Sequence, residues 1–226
     1  MSKTTLAILI GAALLFSAPA FAIDGQVLIN QATVLAAGGF PYQIHQPGSY
    51  KLSGNLAVPA GVDGVDIYVS NVTIDLNGFT ISGPVTCTGG GSGISCGTDP
   101  NTHGIHSVVN NATVRNGSVV GFSIGVALLG ASNLVEEIHA SSNFTGIFAD
   151  EAIVRRNTSS YNGVTGIVGG DITVTENIAD ENGTYGLQIS TGVYGNNIFE
   201  GNPVPVLAGG SGAVSQKNNE CNGTAC

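Results

Sequence analysis

Short apolar runs alternate with polar residues and are cut off by Asn or Gly through most of the chain, as in "AIVR" from Ala152 and "ITVT" from Ile172. A period of two predicts half-buried strands, and none of the runs is long enough for a stable helix. The runs recur at a fixed interval. Gly followed by an apolar residue occurs at Gly125, Gly146, Gly166 and Gly186, in steps of 21, 20 and 20. Asn157, Asn177 and Asn197 lie 20 apart, and Asn143, Asn162, Asn182 and Asn202 step by 19, 20 and 20. Strands this short cannot bury a face alone, but stacked turns can. Ile147, Ile167 and Leu187 are expected in one interior column, and Ile138, Ile178 and Ile198 in another. Stacked Asn side chains can hydrogen-bond along the pile, and Asn tolerates the left-handed backbone that corners need. The expected fold class is all-β, a parallel β-helix of about seven coils between Lys51 and Val206, roughly 34 Å long at one strand spacing per coil.

The ends of such a stack need covers, because open coils present unpaired edges. Ile29 to Ala37 has helical spacing and is stopped by Gly38-Gly39, which predicts a short N-terminal cap helix. The expected organisation is a signal peptide over 1–22, an N-terminal cap over 23–50, the β-helix over 51–206 and a C-terminal cap over 207–226. Within the β-helix the repeat breaks over 82–103, a glycine-rich loop containing Cys87 and Cys96.

Residues 1–22 carry Lys3, an apolar run from Leu6 to Phe16, and small residues at Ala20 and Ala22. This is the pattern of a secretory signal peptide cut after Ala22, too short for a membrane span. The protein is therefore expected in the periplasm or the medium. Cys87 and Cys96, and Cys221 and Cys226, form two close pairs that are expected to be disulfides in such a compartment. Beyond residue 22 the chain carries 5 Lys and Arg against 15 Asp and Glu, a formal charge of −10. No basic stripe is present to neutralise phosphates, which disfavours nucleic acid as a partner. The same charge repels polyuronates unless a cation bridges the two.

Residues one period apart share a column. Aligning Asp75 with Arg115 through the shared N-x-T-[IV] pattern, and continuing by one period each time, gives Asp75, Arg115, Glu136, Arg156, Glu176 and Asn196. The alternating charges suit a strip that recognises a sugar chain lying across the coils. They equally suit ion pairs that satisfy one another on an exposed sheet face.

The Asn and Gly spacing, together with "VTIDLNGFTI", "ATVRNGSVVGF" and the terminal "NECNGTAC", resembles bacterial secreted right-handed parallel β-helix repeat proteins, within the pectate-lyase-like superfold. The resemblance spans nearly all of the chain after residue 22 and implies a single-stranded right-handed β-helix. That group includes pectate lyases, polygalacturonases, uronan epimerases, phage tailspikes and proteins of no known activity, so it implies no one reaction.

Other candidate chemistry is sparse. His103 and His106 lie near Asp99, and H-x-x-H can converge on a cation, but residues three apart on a regular strand face opposite ways. The neighbouring carboxylates Glu136-Glu137 and Asp150-Glu151 are candidate calcium ligands, although they too diverge on a strand. No Asp-Asp or Asp-x-Asp run offers the paired carboxylates of an inverting hydrolase. The expected function is a non-catalytic exported scaffold that binds polysaccharide, without a required cofactor. The alternative is a lyase or epimerase of an acidic polysaccharide, with Arg115 or Arg156 as base.

Overall fold

The computed structural model describes residues 25–90, 93–209 and 212–226, so the signal peptide expected over 1–22 lies outside the described residues. The chain forms a parallel β-solenoid of about 9 turns rather than seven. The difference arises at both ends. Gln26–Ile29 already pairs in parallel with Gly48–Leu52, and Ile198–Glu200 pairs in parallel with Glu220–Cys221. Parallel pairing thus extends past both ends of the 51–206 span expected for the body.

A 16-stranded sheet and an 8-stranded sheet enclose the core. In each turn the chain crosses the larger sheet in two segments separated by a bend, then crosses the smaller sheet. Ala112–Val120 and Asn133–Ser141 run through the bend as single strands. Ile147, Ile167 and Leu187 stack in register on the smaller sheet and are fully buried. Each such aliphatic side chain contributes roughly 1.5–3 kcal/mol by leaving water.

The second expected interior column is different. Ile138 is buried, but Ile178 and Ile198 are 41% and 40% exposed. They stack on His139 and Thr158, and the interior positions beside them belong to Ala140, Ser159, Ala179 and Phe199. The cause is the turn between residues 139 and 158, which holds 19 residues and shifts everything after it by one position.

That shift places Asn157 where a twenty-residue step from Ile138 would have put Thr158. Asn157, Asn177, Asn197 and Asn219 form one buried ladder, in which the backbone N–H and Nδ2 of each of the first three donate to Oδ1 of the next. Asn143, Asn162, Asn182 and Asn202 form a second. The ladder residues themselves do not adopt the left-handed conformation. The residue before each one does: Arg156, Glu176, Asn196 and Asn218 in the first ladder, and Ser142, Tyr161, Glu181 and Gly201 in the second. Each corner therefore divides the work between a left-handed residue that turns the chain and a buried carboxamide that satisfies the freed backbone groups.

A glycine column runs beside the core through Gly64, Gly104, Gly125, Gly146, Gly166 and Gly186. A Cβ on any of the first five would lie 2.5–2.7 Å from the carbonyl oxygen of the next glycine in the column. Pro205 supplies that oxygen to Gly186. Helix Gln31–Ala36 covers the N-terminal end, with Asn30 and Thr33 forming a reciprocal capping box. Cys87–Thr88 and Ser95–Cys96 form a small antiparallel ribbon outside the stack, closed by the Cys87–Cys96 disulfide, and Cys221–Cys226 closes a terminal hairpin. Among the described residues no helix is long and apolar enough to cross a membrane.

Candidate functional site

The charged column expected from the sequence lies on the outer face of the larger sheet. Asp75, Arg115 and Glu136 stack in register, with Arg115 Nη2 3.5 Å from Asp75. The next member is Arg155, followed by Thr175 and Gly195. Arg156, Glu176 and Asn196 are instead the left-handed corner residues one position further on. The 19-residue turn again explains the displacement. Arg156 still reaches the column from its corner. Its Nη2 donates to Glu136 Oε2 at 2.7 Å, the oxygen that also accepts from Arg155 Nε at 3.0 Å. Arg156 Nε donates to Glu137 at 3.3 Å.

This pairing bears on chemistry. Two guanidinium groups converge on one oxygen of Glu136, and Asp75 faces Arg115. These arginines are thus held by carboxylates of the same sheet face rather than presented to a substrate. Glu136 and Glu137 are engaged by Arg156, Asp150 Oδ1 accepts from the Gly170 N–H at 2.9 Å, and among the described residues neither adjacent carboxylate pair belongs to a group of three converging donors.

Beside the charged column a shallow groove of about 510 Å³ crosses four turns. Its floor is the register column Thr113, Leu134, Ile153 and Thr173. Its rim is a second left-handed column, Asn111, Ser132, Glu151 and Asp171. Turn by turn the groove offers one amide, hydroxyl or carboxylate at the rim and one apolar or hydroxyl side chain on the floor. Tyrosine contributes little to this face. Tyr194 packs against the core, and Tyr161 donates its hydroxyl to the Gly89 carbonyl of the disulfide loop.

A second cluster lies on the outer face of the smaller sheet. His103 Nδ1 is 3.2 Å from both oxygens of Asp63, and the His103 backbone N–H donates to Asp63 Oδ1 at 2.7 Å. His106 stands in register with Asp66, its Nδ1 3.7 Å from Asp66 Oδ1, and the two imidazole rings stack at 4.6 Å. Tyr68 donates to Asp66 Oδ2 at 3.1 Å and stacks on His45. Burial pushes the Asp63 carboxyl up, but hydrogen bonds from the His103 ring and backbone outweigh it and hold Asp63 below its ordinary value. The Asp66 carboxylate holds His106 above its ordinary value against the opposing effect of burial.

Two features of this cluster depart from the sequence expectation. Both rings face outward although they are three residues apart, because the strand alternation slips at Gly104, where Gly104 and Ile105 are buried in succession. The acidic partner is Asp63 rather than Asp99, which accepts from the Gly61 N–H instead. The missed signal is internal: "DGVD" from Asp63 and "HGIH" from His103 are the same four-residue pattern, one turn apart. Among the described residues Asp63, His103 and His106 form the one group whose donor atoms converge within 4.8 Å.

No protein-family model, no curated protein and no solved structure matches this chain.

Proposed function

We propose that the protein is an exported, non-catalytic β-solenoid that binds a neutral, hydroxyl-rich polysaccharide along the outer face of its larger sheet. The observation that carries this reading is the groove from Asn111 to Thr173, which repeats its chemistry once per turn. A polymer of repeating units laid along the solenoid axis meets the same kind of rim and floor at each step. Carboxylates, amides and hydroxyls at the rim suit sugar hydroxyls, and Leu134 and Ile153 suit the C–H face of a sugar ring. The formal charge of −10 beyond residue 22 favours a neutral polymer over a polyuronate. Two disulfides suit an oxidising compartment, as does the resemblance to secreted β-helix repeat proteins.

The lyase or epimerase alternative needs an arginine free to meet the substrate, and Arg115 and Arg156 are engaged by Asp75, Glu136 and Glu137. The test is a panel of neutral and acidic polysaccharides assayed by affinity electrophoresis and by product NMR. Retardation by a neutral polymer, weakened at least tenfold by Ile153→Ser with an unchanged melting temperature, is the expected result. Product formation from an acidic polymer would replace this reading with the enzymatic one, and absence of any retardation would remove the groove's role.

A further inference from the structure

The Asp63–His103–His106 cluster is separate from the groove, and its composition is not that of a structural ion pair. Two salt bridges would require two protonated imidazoles, yet the rings stack with centroids 4.6 Å apart and planes within 21° of parallel. Two positive charges at that separation repel. One shared cation, in place of two imidazolium charges, meets both rings and the carboxylate at once.

We propose that Asp63, His103 and His106 bind a divalent transition-metal ion of the zinc and cobalt class through three protein donors, leaving a fourth position open to solvent. The donor set is two imidazole nitrogens and one carboxylate oxygen, which suits borderline first-row ions. Calcium, by contrast, takes six to eight oxygens, which this cluster does not offer. Tetrahedral ligation at about 2.0–2.1 Å puts neighbouring donors roughly 3.3–3.4 Å apart. His103 Nδ1 and Asp63 already stand 3.2 Å apart, and all three donors lie within 4.8 Å, so small side-chain rotations complete the set. Side-chain exposures of 18–29% leave the site reachable from outside.

Asp66 supplies an independent observation. It is 8% exposed, and its Oδ1 has no hydrogen-bond partner, an expensive state for a buried carboxylate. Across the strand from it stands His106 Nδ1, at 3.7 Å. A metal-bound imidazole carries a proton on its other nitrogen and needs an acceptor there. Asp66 is that acceptor: it orients His106, while Tyr68 holds the remaining carboxylate oxygen. Binding releases the proton that His106 carries when it is charged, so affinity falls as pH drops.

The four residues come from two successive turns, joined by a forty-residue connection that carries the disulfide loop. A bound ion therefore ties together the two turns between which that loop leaves and rejoins the stack.

The experiment uses tag-free protein stripped with a chelator and titrated with zinc by calorimetry and with cobalt by visible absorption. Expected are one ion per chain, the intense d–d bands of tetrahedral cobalt, and a melting temperature that rises with zinc. His106→Gln should weaken zinc at least tenfold, the double variant His103→Gln/His106→Gln should abolish it, and Asp66→Asn should weaken it about 10- to 100-fold. His139→Gln should leave it unchanged. Melting of each variant in chelator shows that it is folded. No zinc binding, or binding and cobalt bands that survive in the folded double variant, would overturn the site.

Discussion

Asn157 gives both its backbone N–H and its side-chain Nδ2 to the one Oδ1 of Asn177, at 2.9 and 3.0 Å, and Asn177 does the same to Asn197. Both residues are almost fully buried. Asn177→Ala leaves the Asn157 N–H and the Val154 carbonyl without their partner. One buried unsatisfied group costs about 1–3 kcal/mol, so the unfolding free energy should fall by at least about 2 kcal/mol. Denaturant titration measures it, and a loss below about 0.5 kcal/mol would mean that the ladder adds no net stability.

The glycine column should be intolerant of a single methyl group. A Cβ at Gly166 would lie 2.7 Å from the Gly186 carbonyl and 2.7 Å from Asn182 Nδ2, so both the backbone and a ladder residue must move. Gly166→Ala should destabilise by about 1–3 kcal/mol. Gly90 has nothing within 4 Å of the same position, and Gly90→Ala should melt with the parent. Equal melting of the two variants would contradict the packing argument.

The Cys87–Cys96 ribbon lies outside the stacked turns and rests on Asn143, Tyr161 and Gly163. Replacing both cysteines by serine should therefore expose the loop over 88–95 to proteolysis while lowering global stability by no more than about 3 kcal/mol. Limited proteolysis with mass spectrometry locates the cut. A loss of unfolding free energy clearly beyond about 3 kcal/mol would show instead that the loop supports the core.

With metal removed by chelator, the histidine cluster should impose a pH dependence on stability. Asp66 raises His106 above its ordinary value, so the folded state holds that proton more tightly than the unfolded state. The contribution is fully present below the unfolded value, near pH 6.5, and is lost as pH rises through the higher folded value. Asp63, Asp66, His103 and Tyr68 face His106 or its neighbours. Asp63 titrates below its ordinary range and Tyr68 above its own, so neither changes charge in this window. The gap in melting temperature between the parent and His106→Gln should be larger near pH 6 than near pH 8.5. A gap that widens with pH would reverse the assignment.

The stack itself is legible in the sequence because its geometry is periodic. Asn157, Asn177 and Asn197, and Ile147, Ile167 and Leu187, fall at the intervals that a twenty-residue turn demands. What is hidden is any change in turn length. The 19-residue turn from His139 to Thr158 moves Arg155 into the charged column in place of Arg156 and turns Ile178 and Ile198 outward. The forty-residue connection from Asp63 to His103 separates in sequence two residues that touch in space, which conceals the cluster. Gly104 conceals it further, because the close approach of two backbones there breaks the alternation that assigns faces to strand residues. The first turns escape notice for a related reason: Val27 to Tyr50 and Tyr50 to Ile74 span 23 and 24 residues, and no Asn column marks them.

From Asn157 to Asn197 the chain advances by a constant twenty residues, and the ladder bonds of each step reach only to the adjacent one. Excising 158–177 would bring Asn157 onto Asn197 with the ladder still in register, although the Tyr161 contact to the disulfide loop is lost. The rod's reach is therefore a quantised, heritable trait. Gain or loss of a twenty-codon block lengthens or shortens it by one increment, while the histidine cluster and both termini stay as they are.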